Sequence, residues 1–423
     1  FRGDMLLCRI REKCEINQGK GADTQMEISE RAKNISPSLT LAITAKAKAM
    51  KAQGLDVVSF GAGEPDFNTP DYIIEAAKYA LDKGMTKYTP VPGTMELRRA
   101  IADKLTRDTG VEYVPEQIVV STGGKQTLRN ACEALINPGD EVLLPTPYWL
   151  TYPELIRLSG GKTVVLPTTD ADHFKITPSQ LEKAITKKTK ALVFTNPSNP
   201  TGMVYSPEET AAIAEVAERH GLYVISDEIY EKLVYGGTTC RSIASFGNMK
   251  DLTVICSGLS KTYSMTGWRV GYSAAPLNVA KAMSSIQSHT TSNTNSIAQY
   301  ASYVALTDKR GEEFLSRMVE VFDRRRKLIT ELVRKAPLLS APEPQGAFYI
   351  MVNVSATFGK TCDGEKINNS SDFCAKLLEK SLVAVVDGAA FGAPDYVRLS
   401  YACGEDDIRK GLDRIAAFTA SLK

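Results

Sequence analysis

The stretch Ser257-Gly-Leu-Ser-Lys261-Thr-Tyr-Ser-Met-Thr-Gly267-Trp-Arg269-Val-Gly271 follows directly on the apolar run Leu252-Thr-Val-Ile-Cys256. A short β-branched run of this kind reads as a buried strand. Parallel sheets bind their ligands beyond the carboxyl ends of the strands, and Lys261 stands at such an end. Lysine is also the side chain that bonds covalently to carbonyl cofactors. Most lysines near strand ends are solvated surface groups, so the weight rests on what the chain places at other strand ends.

Three more strand ends carry polar residues of a matching kind. Ala191-Leu-Val-Phe-Thr195 opens into Asn196-Pro-Ser-Asn199-Pro200-Thr-Gly202, a rigid turn, because proline removes backbone donors and glycine permits a sharp bend. Leu222-Tyr-Val-Ile-Ser226 ends in Asp227-Glu-Ile-Tyr230. Gln117-Ile-Val-Val-Ser121 opens into Thr122-Gly123-Gly124-Lys125-Gln126, followed by a helical apolar face of Leu128, Cys132, Leu135 and Ile136. Strand, glycines and helix start make a phosphate cradle of free amides at the positive helix end. Each feature alone has a structural account: a plain Gly-Gly turn, Asp227 as a helix cap, Asn199 bonded to its own turn. Together they supply what pyridoxal 5'-phosphate requires, namely a lysine for the aldehyde, an acid for the ring nitrogen, donors for the phenolate oxygen and a cradle for the phosphate.

The chain resembles the class I pyridoxal-phosphate aminotransferases of fold-type I, and most closely their bacterial-type aspartate aminotransferase subgroup. The likeness runs from about Ile28 to the C-terminus. It includes Gly61-Ala-Gly63-Glu-Pro65-Asp66, Lys87-Tyr88, Gly123-Gly-Lys-Gln126, Pro147-Tyr-Trp149, Asn199-Pro-Thr-Gly202, Asp227-Glu-Ile-Tyr230, Ser260-Lys261, Gly267-Trp-Arg269 and Arg398-Leu-Ser-Tyr401. The resemblance implies transamination of L-aspartate with 2-oxoglutarate to oxaloacetate and L-glutamate. The nearest alternative is a prephenate aminotransferase, alone or bifunctional, and a more distant one is a lyase on the same fold. It implies Lys261 as the catalytic residue that holds the cofactor. Gly124, Lys125, Ser260 and Arg269 would serve the phosphate, with Tyr88 reaching the phosphate of the partner subunit in a homodimer. Trp149 would stack on the ring, Asp227 face its nitrogen, and Asn199 and Tyr230 its phenolate oxygen. On the substrate side it implies Arg398 for the α-carboxylate and Lys125 for a distal one, beside Gly63, Trp149 and Asn199. Two departures stand out. Gly258 lies three residues before the lysine, where relatives often have serine. Asp387-Gly388 stands where Pro-Gly is common, and a solvent-facing Asp387 is the expectation.

At 423 residues with 43% hydrophobic and 24% charged side chains, the chain can bury a large core and form more than one domain. A net charge of +2 gives no sign of a nucleic-acid or membrane partner. Cysteines 8, 14, 132, 240, 256, 362, 374 and 403 and histidines 173, 220 and 289 show no metal-ligand spacing, so no metal is expected. Cys256 reads as a small apolar core residue. The cysteines imply a reducing, cytoplasmic setting, or a plastid if residues 1–26 derive from a precursor. No Gly-x-Gly-x-x-Gly opens a helix, which argues against a nicotinamide enzyme.

Strand-like and helical patterns alternate from about 70 to 300, the signature of an α/β fold with a mostly parallel sheet flanked by helices. The boundaries read as a disordered extension over 1–26 and, by resemblance, an arm over 27–65 that completes the small domain and the dimer contact. A large cofactor-binding domain follows over 66–311, then a smaller α+β domain over 312–423. Within the last, Arg324-Arg-Arg-Lys327 reads as a solvated helix face and residues 357–370 as a polar surface loop.

Overall fold

In the computed structural model, which describes residues 27–36 and 39–423, the strands form a seven-stranded sheet, a three-stranded sheet and two two-stranded pairs. In chain order the first eight are β1 (Val58–Ser59), β2 (Ile118–Ser121), β3 (Glu141–Pro145), β4 (Lys162–Leu166), β5 (Thr189–Thr195), β6 (Tyr223–Asp227), β7 (Thr253–Gly258) and β8 (Gly271–Ala274). Seven of them form one sheet in the order β2-β8-β7-β6-β5-β3-β4. Its pairs are parallel from β7 to β4, whereas β8 is antiparallel to both β7 and β2.

Alternation along the strands divides the core. Val119, Val142, Leu144, Ala191, Val193, Ile225, Val254 and Cys256 pack on one face with Leu128, Leu135, Ile156 and Met283. The opposite face packs Ile118, Val120 and Ile255 against Ile73, Leu97 and Ile101, and Leu143, Leu192, Phe194 and Val224 against Leu181, Ile213 and Val216. Burial on both faces is why these strands read as continuous apolar runs, and Cys256 is 1% exposed, as its apolar reading requires.

The remaining strands are β9 (Tyr349–Asn353), β10 (Thr361–Cys362), β11 (Glu365–Lys366), β12 (Val383–Ala384), β13 (Val386–Asp387) and β14 (Tyr396–Ser400). β13, β14 and β9 make a three-stranded antiparallel sheet, while β1 pairs in parallel with β12. Helices Arg310–Lys335, Ser370–Ser381 and Glu405–Ser421 cover this region with Phe322, Ile329, Phe373, Leu377, Ile408 and Leu412. Tyr230, Leu233 and Tyr235, from the loop after β6, enter the same core. Residues 39–423 thereby pack as one unit. Residues 27–36 belong to another, whose described part holds the short helix Glu30–Lys33 capped by Ser29. The expectation for residues 1–26 lies outside the described residues. Among those described, no helix is long and apolar enough to cross a membrane.

Three expectations are corrected. Asp387 does not face solvent: it is buried, and its carboxylate accepts from Ser370 Oγ (2.6 Å), Ser371 Oγ and the Ala389 amide (2.9 Å). Burying a carboxylate is costly unless such donors satisfy its oxygens. Residues 357–370 are not a plain loop, because β10 and β11 form a hairpin whose Cys362 and Ile367 are buried in the smaller core. The basic run is solvated only at Arg324 and Lys327. Arg325 turns inward to a bidentate pair with Asp66 (2.7 and 2.9 Å), and Arg326 meets Asp323 and Glu343.

Candidate active site

The carboxyl ends of β2, β5, β6 and β7 open into one cavity of about 550 Å³, the size of a small-molecule site. Lys261, Gly63, Gly124, Lys125, Trp149, Asn199, Asp227, Tyr230, Ser260, Arg269 and Arg398 all line it. Tyr88 does not; it is 92% exposed and lies outside the cavity.

β2 delivers the anion end. Gly123 (φ 82°) precedes helix Gly124–Leu135, and no side chain caps the helix amides. A Cβ on Gly123 would stand 2.5 Å from Arg269 Nη2, so glycine is what lets the guanidinium lie over the turn. Arg269 itself has a left-handed backbone (φ 59°), and its Nη1 donates to Thr266 O at 2.8 Å. Strain of this kind is characteristic of functional sites. At Gly258 a Cβ would meet Val270 O at 2.9 Å, which explains the absence of serine there: the antiparallel partner β8 lies too close.

Lys261 Nζ donates to Gly63 O at 2.5 Å. Burial draws it down to about 8, with Arg269 and Arg398 adding to the effect and Glu64 and Asp227 opposing it. A lowered pKa brings the neutral amine that a nucleophile or base requires within reach near neutral pH. Burial pushes Asp227 up to about 6, against the pull of Tyr152, the Ile229 amide and Lys261. Its Oδ2 accepts from Tyr152 Oη at 2.7 Å and its Oδ1 from Ile229 N at 3.2 Å.

The far end is built across both sheets. Arg398, on β14, is 3% exposed. Its Nη1 donates to Asn199 Oδ1 (3.0 Å) and its Nη2 to Gly61 O (3.4 Å), while Nε has no partner. The guanidinium lies 4.3 Å from the Tyr349 ring centroid and 5.1 Å from that of Phe391. Tyr349 Oη in turn shares a 2.9 Å hydrogen bond with Tyr230 Oη. Lys125 Nζ lies 5.0 Å over Trp149, and burial, with Arg269 nearby, lowers its pKa.

Among the described residues no carboxylate pairs with Lys125, Lys261, Arg269 or Arg398. Lys48 and Lys51 line the cavity as well, and cations left without carboxylate partners there call for anionic ligands. Among the lining residues that sequence reading missed are Tyr152, Tyr349 and Glu64. Tyr152 lies one helical turn past Trp149, Tyr349 reaches the cavity from β9, and Glu64 accepts from Thr266 Oγ1 at 2.7 Å. Tyr152 is the second residue of helix Thr151–Leu158, and its place three positions after Trp149 was the available signal for it.

The family described as aminotransferase class I and II matches residues 55–415. The chain is 46% identical over 394 residues to the aspartate aminotransferase of Bacillus subtilis, covering 93% of this chain and 99% of that protein. It is also 46% identical over 398 residues to the aspartate/prephenate aminotransferase of Cereibacter sphaeroides (93% and 99%). To the bifunctional aspartate aminotransferase and glutamate/aspartate-prephenate aminotransferase of Petunia hybrida it is 42% identical, covering 100% of this chain and 87% of the relative. Among solved structures, the aspartate aminotransferase from Rhizobium meliloti superposes with a TM-score of 0.90 at 41% identity, over 94% of this chain and all of that one. That from Thermus thermophilus with maleate gives 0.88 at 41% identity, over 93% and 99%.

Proposed function

The chain belongs to the class I and II aminotransferases, and from that membership we propose a pyridoxal 5'-phosphate-dependent transaminase that acts on L-aspartate and 2-oxoglutarate, giving oxaloacetate and L-glutamate. The cavity fits this cofactor on three counts: a glycine cradle that a Cβ would fill, an uncapped helix start and a lysine that burial keeps partly neutral. The amides of Gly124 and Lys125, with Ser260 and Arg269, would hold the phosphate. Asp227 would face the ring nitrogen, Asn199 and Tyr230 the phenolic oxygen, and Trp149 the ring. When bound, the cofactor's protonated ring accepts the electron pair released as the substrate's Cα–H bond breaks.

The protein's own part is positional and acid–base. Lys261 Nζ would hold the cofactor and, once displaced by the substrate's amine, would carry the proton from the substrate's Cα to the cofactor. Arg398 binds the α-carboxylate as a fork; its Nε is a buried donor without a partner, and Asn199 and Gly61 fix its plane. Asn199 uses Oδ1 on Arg398, which leaves Nδ2 without an acceptor among the described residues. Lys125 Nζ, lacking a carboxylate partner, is the second cation that a dicarboxylic substrate requires. Tyr88, exposed on this subunit, would complete the phosphate site of a second copy in a homodimer.

The observation that carries this reading is the set of unpaired cations at two ends of a cavity that also holds one buried carboxylate, Asp227. The same two-cation arrangement suits prephenate, and relatives named for that activity match 93% and 100% of the chain. A single-turnover test decides: the loaded enzyme is mixed with aspartate, glutamate, alanine or a prephenate-derived amino acid, and conversion of the cofactor to its amine form is followed by absorbance. Fast conversion by the dicarboxylic amino acids and slow conversion by alanine is the expected result. Equal rates for aspartate and alanine would remove the dicarboxylate assignment.

A further inference from the structure

Two carboxylates stand side by side at the end of β6, and they are satisfied differently. Glu228 is buried and takes both Ser226 Oγ (2.8 Å) and Ser242 Oγ (2.7 Å) on Oε1. Asp227 lines the cavity, and among the described residues Tyr152 is the one side chain that donates to it. Tyr152 is 4% exposed, and its hydroxyl lies 2.9 Å from Thr195 Oγ1 as well as 2.7 Å from Asp227 Oδ2. Its ring stands edge-on to Trp149, with centroids 5.5 Å apart and planes at 88°.

The order of protons along this chain follows from donor counting. An ionised carboxylate only accepts, and a phenol has one proton. With Asp227 ionised, Tyr152 must give its proton to Asp227, and Thr195 must donate to Tyr152. With Asp227 protonated, the chain can run the other way. Thr195 and Tyr152 therefore form a buried relay whose direction is tied to the charge on Asp227, in surroundings where successive bonds reinforce one another. Burial alone opposes that charge, and the Tyr152 bond is the largest influence favouring it.

We propose that Tyr152, oriented by Thr195, is a positioning residue that keeps Asp227 ionised and aims its carboxylate, so that the cofactor's ring nitrogen retains its proton. This rests on the reading of Asp227 given above. Without the Tyr152 bond the carboxylate becomes the stronger base of the pair, and the shared proton moves from ring nitrogen to Asp227.

The test loads the native enzyme and the Tyr152→Phe, Thr195→Val and Asp227→Asn variants with cofactor labelled with 15N in its ring, and reads the nitrogen chemical shift against pH. The native enzyme should show a protonated nitrogen at neutral pH. Tyr152→Phe should move the shift toward the neutral form and lower kcat by about ten- to a hundredfold, the worth of a hydrogen bond to a charged group, with KM for aspartate little changed. Thr195→Val should move the shift the same way by less. It decides alone if the phenylalanine variant does not yield loaded protein. A native-like shift in both relay variants, with a neutral nitrogen in Asp227→Asn, would overturn the proposal and leave Tyr152 a packing residue. A protonated nitrogen in Asp227→Asn would instead overturn the reading of Asp227 itself.

Discussion

At the Arg269 end of the cavity, the groups that would meet an anion come from loops of a single sheet. Ser121 pairs with Gly271, and Gly271 with Gly258, so the ladder itself sets the spacing between the Gly123 turn and the Lys261 segment. At the Arg398 end, the arginine comes from the three-stranded sheet, Asn199 from the seven-stranded one, and Gly61 from the segment after β1. The join between them is a seam in which Gly202 O accepts from Gln345 N and Gly346 N, both at 2.8 Å. A Cβ on Gly202 would lie 2.5 Å from Tyr349 O. One end is thus fixed by local ladder geometry, while the other depends on how two hydrophobic cores meet. The first suits a permanent cofactor, and the second a substrate that must come and go.

The contrast is broken most severely where the two ends share a residue. Lys261→Ala should lower kcat for every amino acid by about 10⁴-fold, the upper range for a positioned general base, while cofactor is still retained by the phosphate cradle. Retention is read by equilibrium dialysis and turnover by stopped flow. Loss of cofactor along with activity would mean that the cradle contributes little.

Arg398→Ala should act at the substrate end alone. Removing one partner of a buried charge pair costs about 2–5 kcal/mol, or about thirty- to several-thousandfold in kcat/KM, with cofactor affinity at its native value. An equal loss of cofactor binding would show that the two ends are not separable.

Lys125 sharpens the comparison, because its amide would serve the cradle while its ammonium, over Trp149 and near Arg269, would serve the substrate. Lys125→Ala should cost about 1.5–3 kcal/mol, about ten- to a hundredfold in kcat/KM, on aspartate and leave alanine nearly unaffected. Equal losses on both substrates would assign the ammonium to the cofactor or the fold.

The smallest expected effect is in pH. With Lys261 near 8, its neutral fraction rises from about a tenth at pH 7 to about nine-tenths at pH 9. Cofactor uptake by the apoprotein should therefore quicken about tenfold over that range and then level off. The stability sign follows from the same group: its folded value lies below the ordinary 10.5, so burying the charge costs stability at neutral pH. That cost is relieved as pH climbs from about 8 to about 10. Uptake still rising steeply above pH 10 would indicate an ordinary lysine.

The ladder-set end was legible in the sequence because each part is local: an apolar run, then glycines, a lysine or an acid within a few residues. The seam was not, since its contacts join distant positions. Arg398 meets Gly61 across 337 residues, and Tyr230 meets Tyr349 across 119. Tyr152 sits close to a recognised motif, but only the neighbouring strands bring it to Asp227. Asp387 and Arg325 misled for the same reason: a charged side chain reads as solvated until its distant partners, Ser370 or Asp66, are in place.

The central claim, that Lys261 is the covalent anchor of a pyridoxal-phosphate cofactor, is tested most directly by loading the protein with the cofactor, reducing with borohydride and mapping the labelled peptide. The account predicts the pyridoxyl group on Lys261, with a single label per chain. A label on Lys125 or any other lysine, or none after loading, would contradict it.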